Sequence, residues 1–460
     1  MDKKDSWWLR PCGGVDVLRQ AIPLIISCGS LSLMNFTDRV FLAHLPGDSM
    51  TASFTGGMLF WTTVSLPTAT AAFVTTFVAQ YHGSGNYRRI GRVVWQGIWF
   101  GFIMMPILML LFEQFAQAFL WFGHDSKLIE LERTYYFYLL LGSAATISGE
   151  AAASFFRGQG KMHVEMYNNI FCIVLNIVLD YCWIFGHFGF PAWGLAGAAI
   201  GTAISQWVRF LIYVILMFMQ DHNANKFHVL GGMVIDLSLI GRLCYYGIPS
   251  GLYNFIDTLT FTAFILIIAG LGHMQRDATT IAFTLNSFTY IPINGIGIVV
   301  TSMVGNQLGK NRPDLARRAT MTAQMIGWVY AGTFGIAFLV CPDVFLFPFA
   351  QTEEFTGVRD LCIVLLRFIA LYLLFDSCAM IFVSTLRGAG DTIFVAWMMG
   401  LFAPLMPILC AVGIYCFGLG IIWCWIVLTV LVLAYCVGFS LRYRSKHWES
   451  MRVIEKECVW

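Results

Sequence analysis

The chain has 460 residues, of which 58% are hydrophobic and 12% charged, with a mean hydropathy of +0.71 and a formal net charge of +2. Soluble domains carry about 45–50% apolar and about 25% charged residues, so a chain this poor in charge excludes a water-soluble enzyme, a disordered protein and a fibre. The near-zero balance leaves no basic field for nucleic acid, and the 13 cysteines stand singly in apolar stretches, as small buried hydrophobes and not as a disulfide or metal framework. What remains is a polytopic membrane protein.

A helix needs about 20 mostly apolar residues to cross the hydrocarbon. Backbone groups in lipid must be satisfied within the segment, so these runs are helices and not open strands. Twelve runs qualify in chain order: 22–43, 51–78, 94–112, 136–155, 166–185, 194–217, 249–271, 279–304, 320–340, 361–386, 393–416 and 421–441. The longest connection predicts three parts: an amino-terminal six-helix bundle over 1–219, a cytoplasmic connecting loop over 220–241, and a carboxy-terminal six-helix bundle over 242–460. The tails and even-numbered loops hold 21 of the 28 Lys and Arg, among them Lys3, Lys4, Arg88, Arg89, Arg92, Lys310, Arg317, Arg318 and Lys456. The opposite loops hold only Lys127, Arg133, Arg276 and Arg359. This bias predicts that both termini are cytoplasmic, and the expected location is a cell membrane, the bacterial cytoplasmic membrane, crossed many times. Residues 1–20 are polar and lack the short apolar core and cleavage site of a signal peptide.

The two halves repeat each other. Ala21-Ile22-Pro23 opens the first span and Gly247-Ile248-Pro249 the seventh, 226 residues on. Gly83 and Arg92 after the second span answer to Gly309 and Arg318 after the eighth at the same offset. Arg157-Gly158-Gln159-Gly160 after the fourth span answers to Arg387-Gly388-Ala389-Gly390 after the tenth, at an offset of 230. Six spans per repeat is an even number, so both halves start on the same side and are parallel repeats, as in one class of secondary transporter. Two such bundles can rock about a central cleft.

Phe156-Arg157-Gly158-Gln159-Gly160, Leu175-Asn176-Ile177-Val178-Leu179-Asp180 and Gly194-Leu195-Ala196-Gly197-Ala198-Ala199-Ile200-Gly201-Thr202 resemble the multidrug and toxic compound extrusion (MATE) family. So do Val304-Gly305-Asn306-Gln307-Leu308-Gly309 and Leu386-Arg387-Gly388-Ala389-Gly390-Asp391-Thr392, and the resemblance runs over 19–441.

A carboxylate at the bilayer centre costs at least about 2.5–3.5 kcal/mol, so each one in a span faces protein or water. Asp38, Asp180 and Thr202 fall at similar depth in the outer half of the first bundle, and Asn176 lies one turn from Asp180 on the same helix face. Two carboxylates, an amide oxygen and a hydroxyl form an oxygen-rich cage of the kind that binds hard cations or shares a proton. The constellation matches the amino-terminal-lobe cation site that the MATE resemblance implies: Asp38, Asn176, Asp180 and Thr202, with the Ala198 carbonyl, as a site for Na⁺ or H⁺. The bland alternative is that Asp38 pairs with Arg39 and Asn176 pins a helix crossing. In the second bundle the resemblance implies a cation or substrate site at Asp257 and the Tyr372/Asp376 pair. Asp257 stands where the sodium-coupled branch usually has Glu, and Arg367 offers a structural partner for either acid. Glu150, seven residues before Arg157, reads best as that arginine's ion-pair partner.

The expected function is a secondary antiporter that exports amphipathic or cationic drugs in exchange for Na⁺ or H⁺, as a monomer in the lipid bilayer. No cofactor beyond the coupling ion and no nucleic-acid partner is expected. The alternative is a flippase for lipid-linked saccharides. It would want a basic cavity, yet only Arg39, Arg209 and Arg367 lie inside spans. An enzyme is disfavoured, because no HExxH, GxSxG or paired GxGD-like motif lies in a span, and nucleotide-driven export because GxxxxGK[ST] is absent.

Overall fold

The computed structural model describes residues 7–45, 48–121, 124–222, 225–349 and 355–455. Lys3, Lys4 and Lys456, used above for orientation, lie outside them. Among the described residues the secondary structure is helical, with no strand. Eleven helices, two of them with a short break, are long and apolar enough to cross a membrane. Counting one bent pair as a single span brings the number of candidates among the described residues to twelve, the number expected.

The chain divides into two compact units. The amino-terminal lobe comprises Ile22–Gly251 with Val453–Trp460. Its helices are α1 (Gly14–Ala43), α2 (Ser49–Ala72), α3 (Val74–Ser84), α4 (Arg88–Leu110), α5 (Phe112–Ala116), α6 (Ala118–Trp121), α7 (Ser126–Leu141), α8 (Ser143–Arg157), α9 (Met162–Phe185), α10 (Leu195–His222) and the first half of α11 (Leu237–Ala269). Within this lobe α4 packs on α8, α2 on α7, and α9 and α8 on α10. The core runs through Phe77, Tyr136, Phe155 and Tyr213, all fully buried.

Breaks in the spans have local causes. The fourth span bends by 42° between α7 and α8. Gly142 sits at this break because a Cβ there would stand only 3.0 Å from the Cα and Cβ of Ala203 on α10. Gly186 ends α9 in the left-handed region at φ +74°, where an L side chain is strained.

The segment 220–241 is not slack. Asp221 accepts from the backbone N–H of Phe227 (2.7 Å) and Val229 (2.8 Å). Trp95 and Trp99 on α4 donate their indole N–H to the Val229 and Met233 carbonyls, each at 2.9 Å. The tail returns to the same lobe, where the Val453 N–H donates to Gln80 (2.9 Å) and Arg242 pairs with Glu455 (2.8 Å).

The carboxy-terminal lobe comprises Met1–Ala21 and Leu252–Arg452. It holds the second half of α11, then α12 (His273–Gly309), α13 (Pro313–Val340), α14 (Pro342–Leu346), α15 (Phe355–Ala389), α16 (Thr392–Phe402), α17 (Leu405–Phe417) and α18 (Ile421–Arg444). α15 is its centre, packed on α12, α13 and α18. The chain changes unit inside two long helices, after Ala21 in α1 and after Gly251 in α11. Each change falls two residues from a proline, Pro23 or Pro249, the residues that mark the start of the sequence repeat. A proline inside a helix removes one i→i−4 hydrogen bond, so both crossings sit where the helix is weakest.

Candidate functional site

Three helices of the amino-terminal lobe bring the predicted cation-site residues together. Asp38 lies five residues before the end of α1, Asp180 five before the end of α9, and Thr202 seven after the start of α10. At about 1.5 Å per residue all three stand roughly 8–10 Å from the same helix ends. The Asp38 and Asp180 carboxylates face each other within hydrogen-bonding reach. The Asn176 amide N–H reaches Asp180 Oδ1 at 3.4 Å and the Thr202 hydroxyl at 3.5 Å. Asp180 and Asn176 are fully buried. Gly201 makes the approach possible, since a Cβ there would strike Asp180 Oδ1. Ala198 is buried on α10 one turn before Thr202.

Buried polar atoms are almost always satisfied. Here Asp38 Oδ1, Asp180 Oδ2 and Asn176 Oδ1 are buried and have no hydrogen-bond donor among the described residues. Three such oxygens on the residues of one cluster fit a small hard cation or a shared proton. Arg39 acts on Asp38 electrostatically, while its guanidinium lies over the Phe54 ring at 5.1 Å. Among the described residues no group of three or more His, Cys, Asp or Glu side chains is arranged to hold a metal ion. The donor set is oxygen throughout.

In the carboxy-terminal lobe, Asp257 on α11 and Asp376 on α15 lie within each other's electrostatic reach. Tyr372 is buried one turn before Asp376. Tyr253, one turn before Asp257, sits in the fields of both acids, of Tyr290 and of Arg387. The Arg387 guanidinium lies over the Tyr253 ring at 5.8 Å. Asp257 itself is exposed, and Arg367 is exposed with no ion pair to either acid among the described pairs. The helical spacing of Tyr253 to Asp257 was a readable signal; the approach of Tyr290 and Arg387 from other helices was not.

Glu150 belongs to a buried ion network. Arg157 binds Glu150 at 2.7 Å and clamps Glu165 with two N–H donors, both at 2.5 Å. Arg209 reaches the other Glu150 oxygen at 3.3 Å. Two acids and two bases thus close on one another. Sequence reasoning also missed Glu132 on α7. It is fully buried, accepts from the Thr55 hydroxyl and stands 2.8 Å from His124 Nδ1. Tyr135, one turn further along α7, packs on α2 at Gly56 and senses the charges of Asp38 and Asp180.

The family model MatE matches residues 23–182 and 249–412, two stretches whose starts are 226 residues apart like the repeat itself. The chain belongs to the MATE family. MATE proteins are transporters and not enzymes, which accounts for duplicated bundles without a catalytic motif. Among curated relatives, "Probable multidrug resistance protein NorM" of Thermotoga maritima is 24% identical over 448 residues, covering 96% of this chain and 95% of its own. "Multidrug resistance protein MdtK" of Proteus mirabilis is 26% identical over 395 residues, covering 84% and 85%. The solved outward-facing conformation of a multidrug resistance MATE family transporter of the MOP superfamily has a TM-score of 0.84. It is 18% identical, with 98% of this chain and 100% of that one covered, a likeness that carries the fold. The architecture is thus the all-helical, two-lobe membrane fold of MATE transporters.

Proposed function

We propose that the protein is a secondary antiporter of the cell membrane that exports amphipathic, cationic drugs in exchange for Na⁺ or H⁺. It works as a monomer with both termini in the cytoplasm. The observation that carries the reading is the opposed Asp38/Asp180 pair with its unpartnered buried oxygens. Two relatives along nearly the whole chain are named as multidrug resistance proteins, which supports the cargo.

The physics is differential binding. A ligand shifts a two-state equilibrium only through its difference in affinity for the two states. A cation that neutralises Asp38 and Asp180 removes their mutual repulsion and so favours whichever arrangement of α1 against α9 brings them together. The empty cluster favours the other arrangement. Rocking of the two lobes then exposes the drug site to alternate sides. The aromatic cluster of Tyr253, Tyr290 and Tyr372 around Asp257 and Asp376 suits a flat cation, through stacking and cation–π attraction. A flippase for anionic lipid-linked saccharides would need free buried arginines. Arg157 and Arg209 are both spent on Glu150 and Glu165, and no observation favours that reading.

The test is ethidium efflux from proteoliposomes, with Na⁺ and pH gradients imposed separately. One gradient is expected to drive efflux in the wild type, and Asp180→Asn is expected to abolish that efflux while the protein still inserts. Wild-type rates in Asp180→Asn would overturn the proposal.

A further inference from the structure

Glu132 is a carboxylate that the antiport site does not use. It lies on the second turn of α7, fully buried, with Thr55 of α2 donating to Oε1. His124, in the segment before α7, stands 2.8 Å from the same oxygen and keeps 22% of its side chain exposed. Glu132 Oε2 is buried with no partner among the described residues. Asp125 beside His124 is occupied as the α7 N-cap, accepting from the Leu128 N–H at 2.8 Å. Thus one partly exposed imidazole leads to one buried carboxylate with a free acceptor.

The direction of α7 gives this arrangement its meaning. Glu132 and Tyr135 are three residues apart, on one helix face, with about 4.5 Å of rise between them. Tyr135 is buried and lies in the field of Asp38 and Asp180. Glu132 lies six residues after the start of α7, about 9 Å from that end, close to the depth of Asp38 and Asp180 below theirs, and His124 stands nearer the rim. All of them belong to one lobe.

We propose that Glu132, with Thr55 and His124, is an entry station where the coupling cation sheds water before it crosses, past Tyr135, to Asp38 and Asp180. The station lies at the end of the lobe opposite the arginine-rich turns. Its ligand is a monovalent cation, Na⁺ or H⁺, held by the free Glu132 oxygen. The inference rests on the antiport reading above and adds a residue to it.

The test measures gradient-driven ethidium efflux from proteoliposomes against the concentration of the driving cation. One arm varies Na⁺ at constant pH and the other varies external pH without Na⁺. Glu132→Gln keeps the size of the side chain and its bond from Thr55. It is expected to raise the half-saturating cation concentration about tenfold, the loss of one charge-assisted contact, while the rate at saturating cation changes by less than about twofold. His124→Gln, at the exposed rim, is expected to shift half-saturation in the same direction and serves if Glu132→Gln does not fold. Unchanged half-saturation in a folded variant, or a loss confined to maximal rate or unfolding temperature, overturns the entry station. Asp180→Asn run in parallel keeps the two ideas separate. If it abolishes coupling while Glu132→Gln is silent, the entry station falls and the antiport reading stands. If it leaves coupling intact, the antiport reading falls with it.

Discussion

Replacing Arg157 by Met tests whether the network at the end of α8 is a fold element. The substitution keeps an unbranched apolar stem and removes the guanidinium. Glu150 keeps a partner, because Arg209 still reaches it at 3.3 Å. Glu165 loses both of its 2.5 Å donors and is left as a buried carboxylate with 6% of its side chain exposed. Breaking a buried pair from one side costs about 3–5 kcal/mol. For a unit of roughly 230 residues each kcal/mol moves the midpoint by about 2–4 °C, so Arg157→Met is expected to melt about 6–20 °C below the wild type. The assay is thermal unfolding of the purified protein in detergent, followed by tryptophan fluorescence. The double variant Arg157→Met/Glu165→Met removes the stranded charge and is expected to recover most of the loss. A single variant within about 3 °C of wild type, or a double variant no better than the single, would refute the reasoning.

Three further outcomes are expected. Gly201→Ala pushes a methyl against Asp180 Oδ1, and because the carboxylate can swing aside, unfolding is expected to change little. Cation-driven efflux is nevertheless expected to fall about tenfold or more, since site chemistry is sensitive to displacements near 1 Å. Gly186→Ala forces a side chain into φ +74° with its Cβ 2.9 Å from that of Ala192, and is expected to cost at least about 1–2 kcal/mol in thermal or denaturant unfolding. Asp376→Asn and Asp257→Asn are expected to lower drug efflux in an efflux-deficient host without lowering membrane insertion; wild-type resistance in both would remove the carboxy-terminal cluster from the transport cycle.

The spans were legible because lipid imposes a length and an apolar composition that a single sequence displays. Their edges were less so. The fourth span reads from 136 in the sequence but begins at Ser126, because Lys127, Glu130, Glu132 and Arg133 look like a solvated loop. Arg133 does face outward, paired with Glu113 at 2.7 Å, whereas Glu132, its neighbour, points into the lobe. Charge count along the chain cannot separate the two; only the helix phase set by packing on α2 does. Similarly, Glu165 stands near the start of α9, and nothing along the chain records that α8 and α9 fold together and close Arg157 around it. The Asp38, Asn176, Asp180 and Thr202 group was readable because each residue's depth follows from its distance to a span end. The reach of Arg387 over Tyr253 depends on how α15 meets α11, which no local pattern records.

The internal repeat supplies an argument about Asp38 and Asp180 that neither lobe gives alone. At the offset of 226 the counterpart of Asp38 is Phe264, and at the offset of 230 the counterparts of Asn176 and Asp180 are Met406 and Cys410. All three are buried members of the carboxy-terminal core. A six-helix lobe of this design therefore folds with apolar groups where its sister carries two carboxylates and an amide. Packing does not call for acids at those places, and burying them opposes stability. The polar set at 38, 176 and 180 is an added cost in one copy of a duplicated scaffold, and the proposed exchange of a cation at these acids is what would offset it. On this reasoning Asp38→Asn and Asp180→Asn retain the fold and lose the exchange, whereas Arg157→Met, which breaks a contact the lobe is built on, loses the fold first.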